Sequence, residues 1–290
     1  MTGLLEPLNY EFMRHAIAIG VIVGALCPVV GSYLIVQRMA LLGDVIAHSV
    51  MPGLSISLFL GTDLMLGAFL SGILGAMTIA LIRSQSRVKV DSAMALTFSS
   101  YFALGILLIT VLGNRLELEN FLFGDILSIA LTDIYRTLAI AVGILCVILL
   151  FYKELLFYAF DRTGAQAVGL PVNAIYMGFM VMITLTIIAS MQAVGVILVI
   201  ALLVGPALTA YLLVRELHHI MLLGAGLGMV ASVTGVYLSY YYNVPSGPAI
   251  ALITSGLFLV ALLFSPSQGI LTRPAMVRRF TQFWSVPRQP

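Results

Sequence analysis

Runs of about 20 apolar residues follow one another along nearly the whole chain, and they restrict its fold more than any other feature. The hydrocarbon core of a bilayer, about 30 Å thick, takes roughly 20 residues of helix, and only helices and closed barrels can span it. The sequence therefore predicts an all-α, polytopic integral membrane protein with eight or nine transmembrane helices in a single domain, residues 1–290. The predicted spans are 15–37, 40–60, 64–82, 93–112, 133–151, 173–191, 195–214, 219–241 and 248–264.

Composition excludes several classes of function. Only 9% of the 290 residues are charged, against about 25% in a soluble globular domain. The net charge is +2 and the basic residues are dispersed, so we expect no nucleic-acid partner. The only lysines, Lys89 and Lys153, lie outside any GxxxxGK[ST] sequence, and the chain has no GxSxG or HExxH motif. We therefore expect a protein that is not an enzyme and cannot hydrolyse ATP by itself.

The distribution of arginine and lysine predicts the orientation, because cytoplasmic loops are enriched in both. Segment 83–89 and the C-terminal tail 265–290 are basic, so we assign both to the cytoplasm. The same threading places segment 113–132, with Glu117, Glu119 and Asp125, outside. The side of the N-terminus stays open, because nine spans would put it outside whereas nearby basic residues favour the inside.

An aspartate and a histidine lie inside one apolar run, "MALLGDVIAHSVMPGLSISLFLG", residues 39–61. An ionisable side chain within a span costs about 2.5–3.5 kcal/mol on insertion scales, so it normally faces a cavity, a partner or a transport pathway. Asp44 and His48 are spaced i and i+4, which puts them on one helix face about 5–6 Å apart at Cβ. They could share one cation. The alternative is a structural role, in which they hydrogen-bond each other or a neighbouring helix.

Two ligands alone hold a divalent ion weakly, but a two-fold axis beside this helix would bring two aspartates and two histidines together. Such a nitrogen and oxygen ligand set suits Mn²⁺, Zn²⁺ or Fe²⁺ and binds less tightly than thiolates. We therefore expect a divalent metal that is transported, and no permanently bound cofactor.

Three other histidines are weaker candidates. His218 and His219 follow Glu216 at a predicted cytoplasmic span end, where histidines are often ordinary interfacial residues, and adjacent helical positions do not face one another. An exit-side metal contact is the alternative for this pair. His15 carries no further indication of function.

Two Pro-Gly combinations predict helix interruptions, at residues 51–53 and 205–206. Paired interruptions in the two halves of a chain are a feature of secondary transporters with internal repeats. The sequences around the two sites do not otherwise match, and membrane helices also tolerate proline and glycine for packing.

Three stretches resemble the integral membrane permeases of the ABC-type importers for manganese, zinc and iron. "RMALLGDVIAHSVMPGLSI" from Arg38 is similar to the second-span motif of that family, with Met51 before Pro52 where leucine is usual. "FDRTGAQAVGLPV" from Phe160 resembles its cytoplasmic coupling segment, and "VGVILVIALLVGPALTAYLL" from Val194 resembles a late span. The three stretches stand in the order of the family, so the resemblance covers nearly the whole chain.

The resemblance implies a dimeric pathway in the plasma membrane of a prokaryote, with a second permease copy, a cytoplasmic ATPase subunit and an extracytoplasmic metal-binding protein. The family's pathway ligands correspond to Asp44 and His48. The loop 153–172 is then expected to couple to the ATPase through a short helix that begins near Asp161 and Arg162. The small residues that would let this helix dock in a groove are Ala165, Ala167 and Gly169. An ordinary solvated connection is the alternative for this loop.

"ALLVGPALTAYLL" and "YYYNVPSGPAIAL" resemble manganese and iron members more than zinc members. We therefore expect a permease subunit for manganese, with zinc or iron next. Two alternatives belong to other classes: a proton-coupled secondary metal carrier, which needs no ATPase, and a non-transporting membrane scaffold, in which Asp44 and His48 only hold helices together.

Overall fold

The computed structural model describes residues 6–112, 126 and 129–265. Apart from a 3-10 turn at Glu6–Asn9 and short connections, this part of the chain is α-helical. The helices are α1 (Glu11–Val36), α2 (Leu42–Ser49), α3 (Met51–Leu60), α4 (Leu64–Gln85), α5 (Val90–Leu112), α6 (Leu131–Leu150), α7 (Tyr152–Phe160), α8 (Arg162–Ala167), α9 (Val172–Val194), α10 (Val196–Leu213), α11 (Leu217–Tyr242) and α12 (Ser246–Phe264).

Nine segments of the described chain are long and apolar enough to cross a membrane, and each overlaps one predicted span. The prediction of an all-α, polytopic membrane protein is confirmed. The segment Leu42–Leu60 counts as one span although it consists of α2 and α3. The predicted cytoplasmic position of segment 83–89 falls between α4 and α5, and it stays a prediction, as does the side of the N-terminus.

Close approach of helix backbones holds the first span in the centre of the bundle. α1 packs along α11 and α10. A Cβ atom at Gly24 would lie 2.7 Å from the carbonyl oxygen of Gly228, and a Cβ atom at Gly31 would overlap the backbone at Leu203. Small residues at such crossings let membrane helices approach closely, which increases their van der Waals contact. α1, α9 and the α2–α3 segment are the spans buried most deeply by other helices.

Only one of the two predicted helix interruptions is present. Val50 separates α2 from α3, just before Pro52. The interruption predicted at residues 205–206 is wrong, because α10 continues through Pro206 from Val196 to Leu213. A proline removes one backbone donor but need not end a helix whose neighbours hold it in place. The paired interruption that would have indicated a repeat is therefore missing from this part of the chain.

The loop predicted at residues 153–172 contains two short helices, α7 and α8. Glu117, Glu119 and Asp125 lie outside the described residues, as does the tail after Ser265. Their assignments to the outer and cytoplasmic faces stay predictions.

Candidate metal site

The backbone around Asp44 and His48 forms two short helices in nearly one line. Val50, between α2 and α3, has right-handed helical dihedral angles of −72° and −27°. Pro52 has no N–H group, so the carbonyl of His48 loses the donor that a regular helix would supply four residues later. The sequence thus places a weakened helical turn directly after the two candidate ligands.

Asp44 and His48 lie on one face of α2, as their spacing predicts. Asp44 Oδ1 and His48 Nε2 are 3.4 Å apart, and the two side chains are 38% and 16% exposed. With metal–ligand bonds of about 2.0–2.2 Å, two ligands on one tetrahedral ion lie about 3.3–3.6 Å apart. The observed separation therefore suits either a hydrogen bond between the two groups or a shared cation.

Two aromatic rings of α5 form a wall against the imidazole. The ring centroid of His48 is 4.9 Å from that of Phe98 and 5.2 Å from that of Phe102, and both contacts are edge-on. The two phenyl rings stack on each other with an interplanar angle of 8°. His48 Nδ1 is buried and has no hydrogen-bond partner among the described residues. The imidazole thus lies between this wall and the Asp44 carboxylate, which its Nε2 atom faces.

The neighbours of the site lie near the middle of their own helices. Phe98 is eight residues after the start of α5 at Val90, which is about 12 Å at 1.5 Å per residue. Gly75, which contacts the residue after His48, is ten residues before the end of α4 at Gln85, or about 15 Å. Both distances are about half of a 30 Å hydrocarbon core. A carboxylate and an imidazole within a candidate membrane span need a partner or an ion.

The opposite face of α2 packs tightly on α4. A Cβ atom at Gly75 would lie 2.5 Å from the Cβ and Oγ atoms of Ser49. The hydroxyl of Ser71 donates a 2.6 Å hydrogen bond to the carbonyl of Ser49. Ser49 follows His48 directly, so α4 sets the position of the imidazole. Small residues on α4 thus fix the depth of the candidate ligands.

Met51 lies close to His48 in sequence but is buried in the helix packing. It is 3% exposed, and a Cβ atom at Gly105 on α5 would lie 2.7 Å from its Cβ atom. Met51 therefore packs between α3 and α5 rather than beside the open face of Asp44.

The coupling residues fall into two groups. Asp161 caps α8 by accepting a 2.8 Å hydrogen bond from the Gly164 N–H group, and the Arg162 guanidinium lies 5.8 Å from the centre of the Tyr176 ring. Ala165 is fully buried against the chain itself, whereas Ala167 and Gly169 are exposed. Gly169 has a φ of +89°. The exposed part of this segment is therefore the C-terminal end of α8.

α7, which leads into α8, is partly buried. Burial raises the pKa of the Tyr158 phenol in α7, and the nearby Arg162 guanidinium opposes this shift. Tyr158 is part of the buried core and packs α7 against the bundle.

The structure also brings Glu216 together with His218 and His219, the pair for which an exit-side metal contact was the alternative. Glu216 Oε2 is 3.2 Å from His218 Nε2 and 3.3 Å from His219 Nδ1. The two imidazole centroids are 4.0 Å apart, so the expectation that adjacent positions would not meet is wrong. His15 has only one such neighbour, Glu11, at 3.9 Å.

Comparisons with known proteins agree over nearly the whole chain. The ABC 3 transport family matches residues 9–265. The chain is 41% identical over 269 residues to "Manganese transport system membrane protein MntC" of Halalkalibacterium halodurans, covering 92% of each protein. It is 38% identical over 268 residues to "Chelated iron transport system membrane protein YfeD" of Yersinia pestis, covering 92% of this chain and 90% of that one.

A solved structure has a similar fold: "PsaBC from Streptococcus pneumoniae in complex with Fab", with a TM-score of 0.83 and 38% sequence identity. The alignment covers 91% of this chain and 97% of the other. The family match takes in the segment with Asp44 and His48 and all nine candidate spans. The chain therefore belongs to the ABC 3 transport family.

Proposed function

We propose that this chain is the permease subunit of an ATP-driven importer for a divalent transition-metal ion, manganese first and iron or zinc next. The observation that carries the proposal is the Asp44–His48 pair. It combines an oxygen and a nitrogen ligand 3.4 Å apart within one candidate membrane span, in a chain 41% identical to a protein named for manganese transport.

The pair can replace part of the hydration shell of an ion without holding it permanently. Nitrogen and oxygen ligands suit Mn²⁺, Fe²⁺ and Zn²⁺, and neither residue is a thiolate that would slow release. Both groups must be deprotonated to bind metal. The ion is cargo, and we propose no resident cofactor.

A second permease copy completes the ligand set. One chain supplies two side-chain ligands, whereas a structural Zn²⁺ site uses four. The Asp44 side chain is 38% exposed although it lies within a candidate membrane span, and an ionisable group facing lipid is costly. A homodimer with its two-fold axis beside α2 would turn both pairs toward each other and remove that cost.

ATP hydrolysis belongs to a separate cytoplasmic subunit. The chain has no phosphate-binding loop. The proposed contact is the exposed end of α8 at Ala167 and Gly169, with Asp161 and Arg162 holding the helix in place. An extracytoplasmic metal-binding protein delivers the ion on the opposite face. We place the assembly in the plasma membrane of a prokaryote, because the relatives described above are bacterial.

Manganese is the first choice because of two observations. The late stretches of the sequence resemble manganese and iron members, and the relatives described above are named for manganese and for chelated iron. The ligand types alone do not separate these metals, since oxygen and nitrogen sites bind Mn²⁺ more weakly than Fe²⁺ or Zn²⁺.

Reconstitution in proteoliposomes tests the proposal. We expect uptake of radiolabelled Mn²⁺ only when the ATPase subunit, ATP and the metal-loaded binding protein are all present. The control is an ATPase variant whose phosphate-loop lysine is replaced, which should stop uptake without dissociating the complex.

The other outcomes each contradict the proposal. Uptake by this chain alone under a proton gradient would identify a secondary carrier. Absence of uptake of Mn²⁺, Fe²⁺ and Zn²⁺ in an assembly that still hydrolyses ATP would favour a scaffold.

A further inference from the structure

The start of α11 carries a second group of metal-ligating side chains. Glu216, His218 and His219 each offer one ligand atom, and the three atoms lie within 4.8 Å of one another. Among the described residues, it is the group of three or more histidine, cysteine, aspartate or glutamate side chains whose ligand atoms lie close enough to share one metal ion. It stands at the end of α10 and the start of α11, far in sequence from α2.

The distances inside the group match the spacing of ligands around one ion. Glu216 Oε2 is 3.2 Å from His218 Nε2 and 3.3 Å from His219 Nδ1. Ligands bound at about 2.0–2.1 Å lie roughly 2.9–3.4 Å apart in octahedral or tetrahedral geometry. Two imidazoles and one carboxylate on one side of an ion leave its other positions for water, and this ligand set suits Fe²⁺, Mn²⁺ and Zn²⁺.

The ring centroids of the two imidazoles are 4.0 Å apart, so both rings can ligate one ion together with the carboxylate. The positive end of the α11 dipole and Arg215 work against a cation, so binding should be weak and exchangeable.

The surroundings of the group define its access. The side chains of Glu216, His218 and His219 are 66%, 52% and 57% exposed, so an ion can arrive directly from water. Arg215 and the basic segment 83–89 assign this end of the bundle to the cytoplasm. Tyr152, which begins α7, lies next to the group: burial and the Glu216 carboxylate raise its pKa, and a hydrogen bond with the His218 backbone lowers it.

We propose that Glu216, His218 and His219 form a divalent-metal site on the cytoplasmic face, separate from Asp44 and His48, that takes Mn²⁺, Fe²⁺ or Zn²⁺ from cytoplasmic water. This second proposal depends on the proposed function in one respect only, the assignment of this end of the bundle to the cytoplasm. The site adjoins α7, which leads to the proposed ATPase contact.

Metal binding to the purified full-length chain, free of any polyhistidine tag, tests the site. The experiment uses a background variant, D44N/H48A, which lacks the proposed pathway ligands. The metal binding measured therefore does not depend on whether the chain transports metal. Zn²⁺ is the probe, because nitrogen and oxygen sites bind it more tightly than Mn²⁺ or Fe²⁺. Calorimetry should detect one Zn²⁺ per chain, and E216Q or H218Q/H219Q added to this background should remove that binding.

H15Q is the matched control, because His15 has a single carboxylate neighbour at 3.9 Å, and it should leave the stoichiometry at one. All substituted side chains in the group are exposed, and size-exclusion profiles check that each variant stays folded. Absence of stoichiometric Zn²⁺ binding in the background variant would overturn the proposal. Binding that survives both E216Q and H218Q/H219Q would overturn it as well.

Discussion

Substitution of Gly75 by alanine should displace the candidate ligands without touching them. The new methyl group would lie 2.5 Å from the Cβ and Oγ atoms of Ser49, whereas carbon atoms in contact prefer about 3.5–4.0 Å. α2 would therefore have to move away from α4 by about 1 Å. Overpacking of this kind costs about 1–3 kcal/mol of stability, and a 1 Å displacement of reacting groups can cost about 100-fold in rate.

The prediction is a folded protein with strongly reduced metal uptake. Uptake of radiolabelled Mn²⁺ in cells gives the rate, and thermal unfolding in detergent gives the stability. Gly143 on α6 supplies the control, because a Cβ atom there meets nothing within 4 Å. G143A should leave uptake unchanged and stabilise its helix by up to about 1 kcal/mol.

A compensating substitution makes this test specific to the contact. S49G removes the atoms that the Gly75 methyl group would strike, and the Ser49 hydroxyl donates its hydrogen bond to the Val45 carbonyl in its own helix. The double variant G75A/S49G should recover most of the uptake lost in G75A, with a coupling energy of about 0.5–3 kcal/mol. Uptake by G75A at the wild-type rate, or no recovery in the double variant, would refute the positioning of His48 by α4.

Three further predictions concern the coupling segment, the outer face and the packing near the site. Ala167→Trp on the exposed end of α8 should leave the chain folded but reduce co-purification of the ATPase, and wild-type yield with full ATP turnover would count against the contact. Reversal of Glu117 and Glu119, outside the described residues, should weaken docking of the binding protein, and added salt should shrink the effect; a salt-independent binding constant would contradict it. Met51→Leu should retain near-normal uptake, since Met51 is buried and the exchange conserves volume; lost uptake would make Met51 a ligand.

Apolar run length predicted the spans well because the bilayer sets a length that each helix must reach. The ends were less accurate. The first span was predicted from residue 15, whereas α1 begins at Glu11, since a helix can continue past the apolar core with polar residues. The spacing of apolar residues also does not indicate how two helices cross. The close approach of Gly24 to Gly228 could therefore not be predicted from the sequence.

The site was predictable in part. The i,i+4 spacing of Asp44 and His48 placed both on one face, because a helix fixes that geometry locally. The Phe98 and Phe102 wall depends on which helix packs beside α2, and sequence spacing does not reveal that.

The convergence of Glu216 with His218 and His219 was not predicted, for a local reason. Glu216 is the N-cap residue of α11 with extended dihedral angles of −89° and 135°, so its side chain does not follow helical spacing. It folds over the first turn and meets His218 and His219 together. The rule that adjacent helical positions do not face one another therefore failed for this group. A carboxylate at a helix N-terminus just before two histidines was the available signal.

The most direct test of the central claim is metal uptake by variants of the two proposed ligands. Asp44→Asn and His48→Ala should each abolish uptake of radiolabelled Mn²⁺ while leaving expression and ATPase association intact. Asp91→Asn and His15→Ala are the matched controls, because they make the same exchanges at helix starts, and both should transport at near-normal rates. Near-normal uptake by either Asp44→Asn or His48→Ala would contradict the account and leave the pair with a purely structural role.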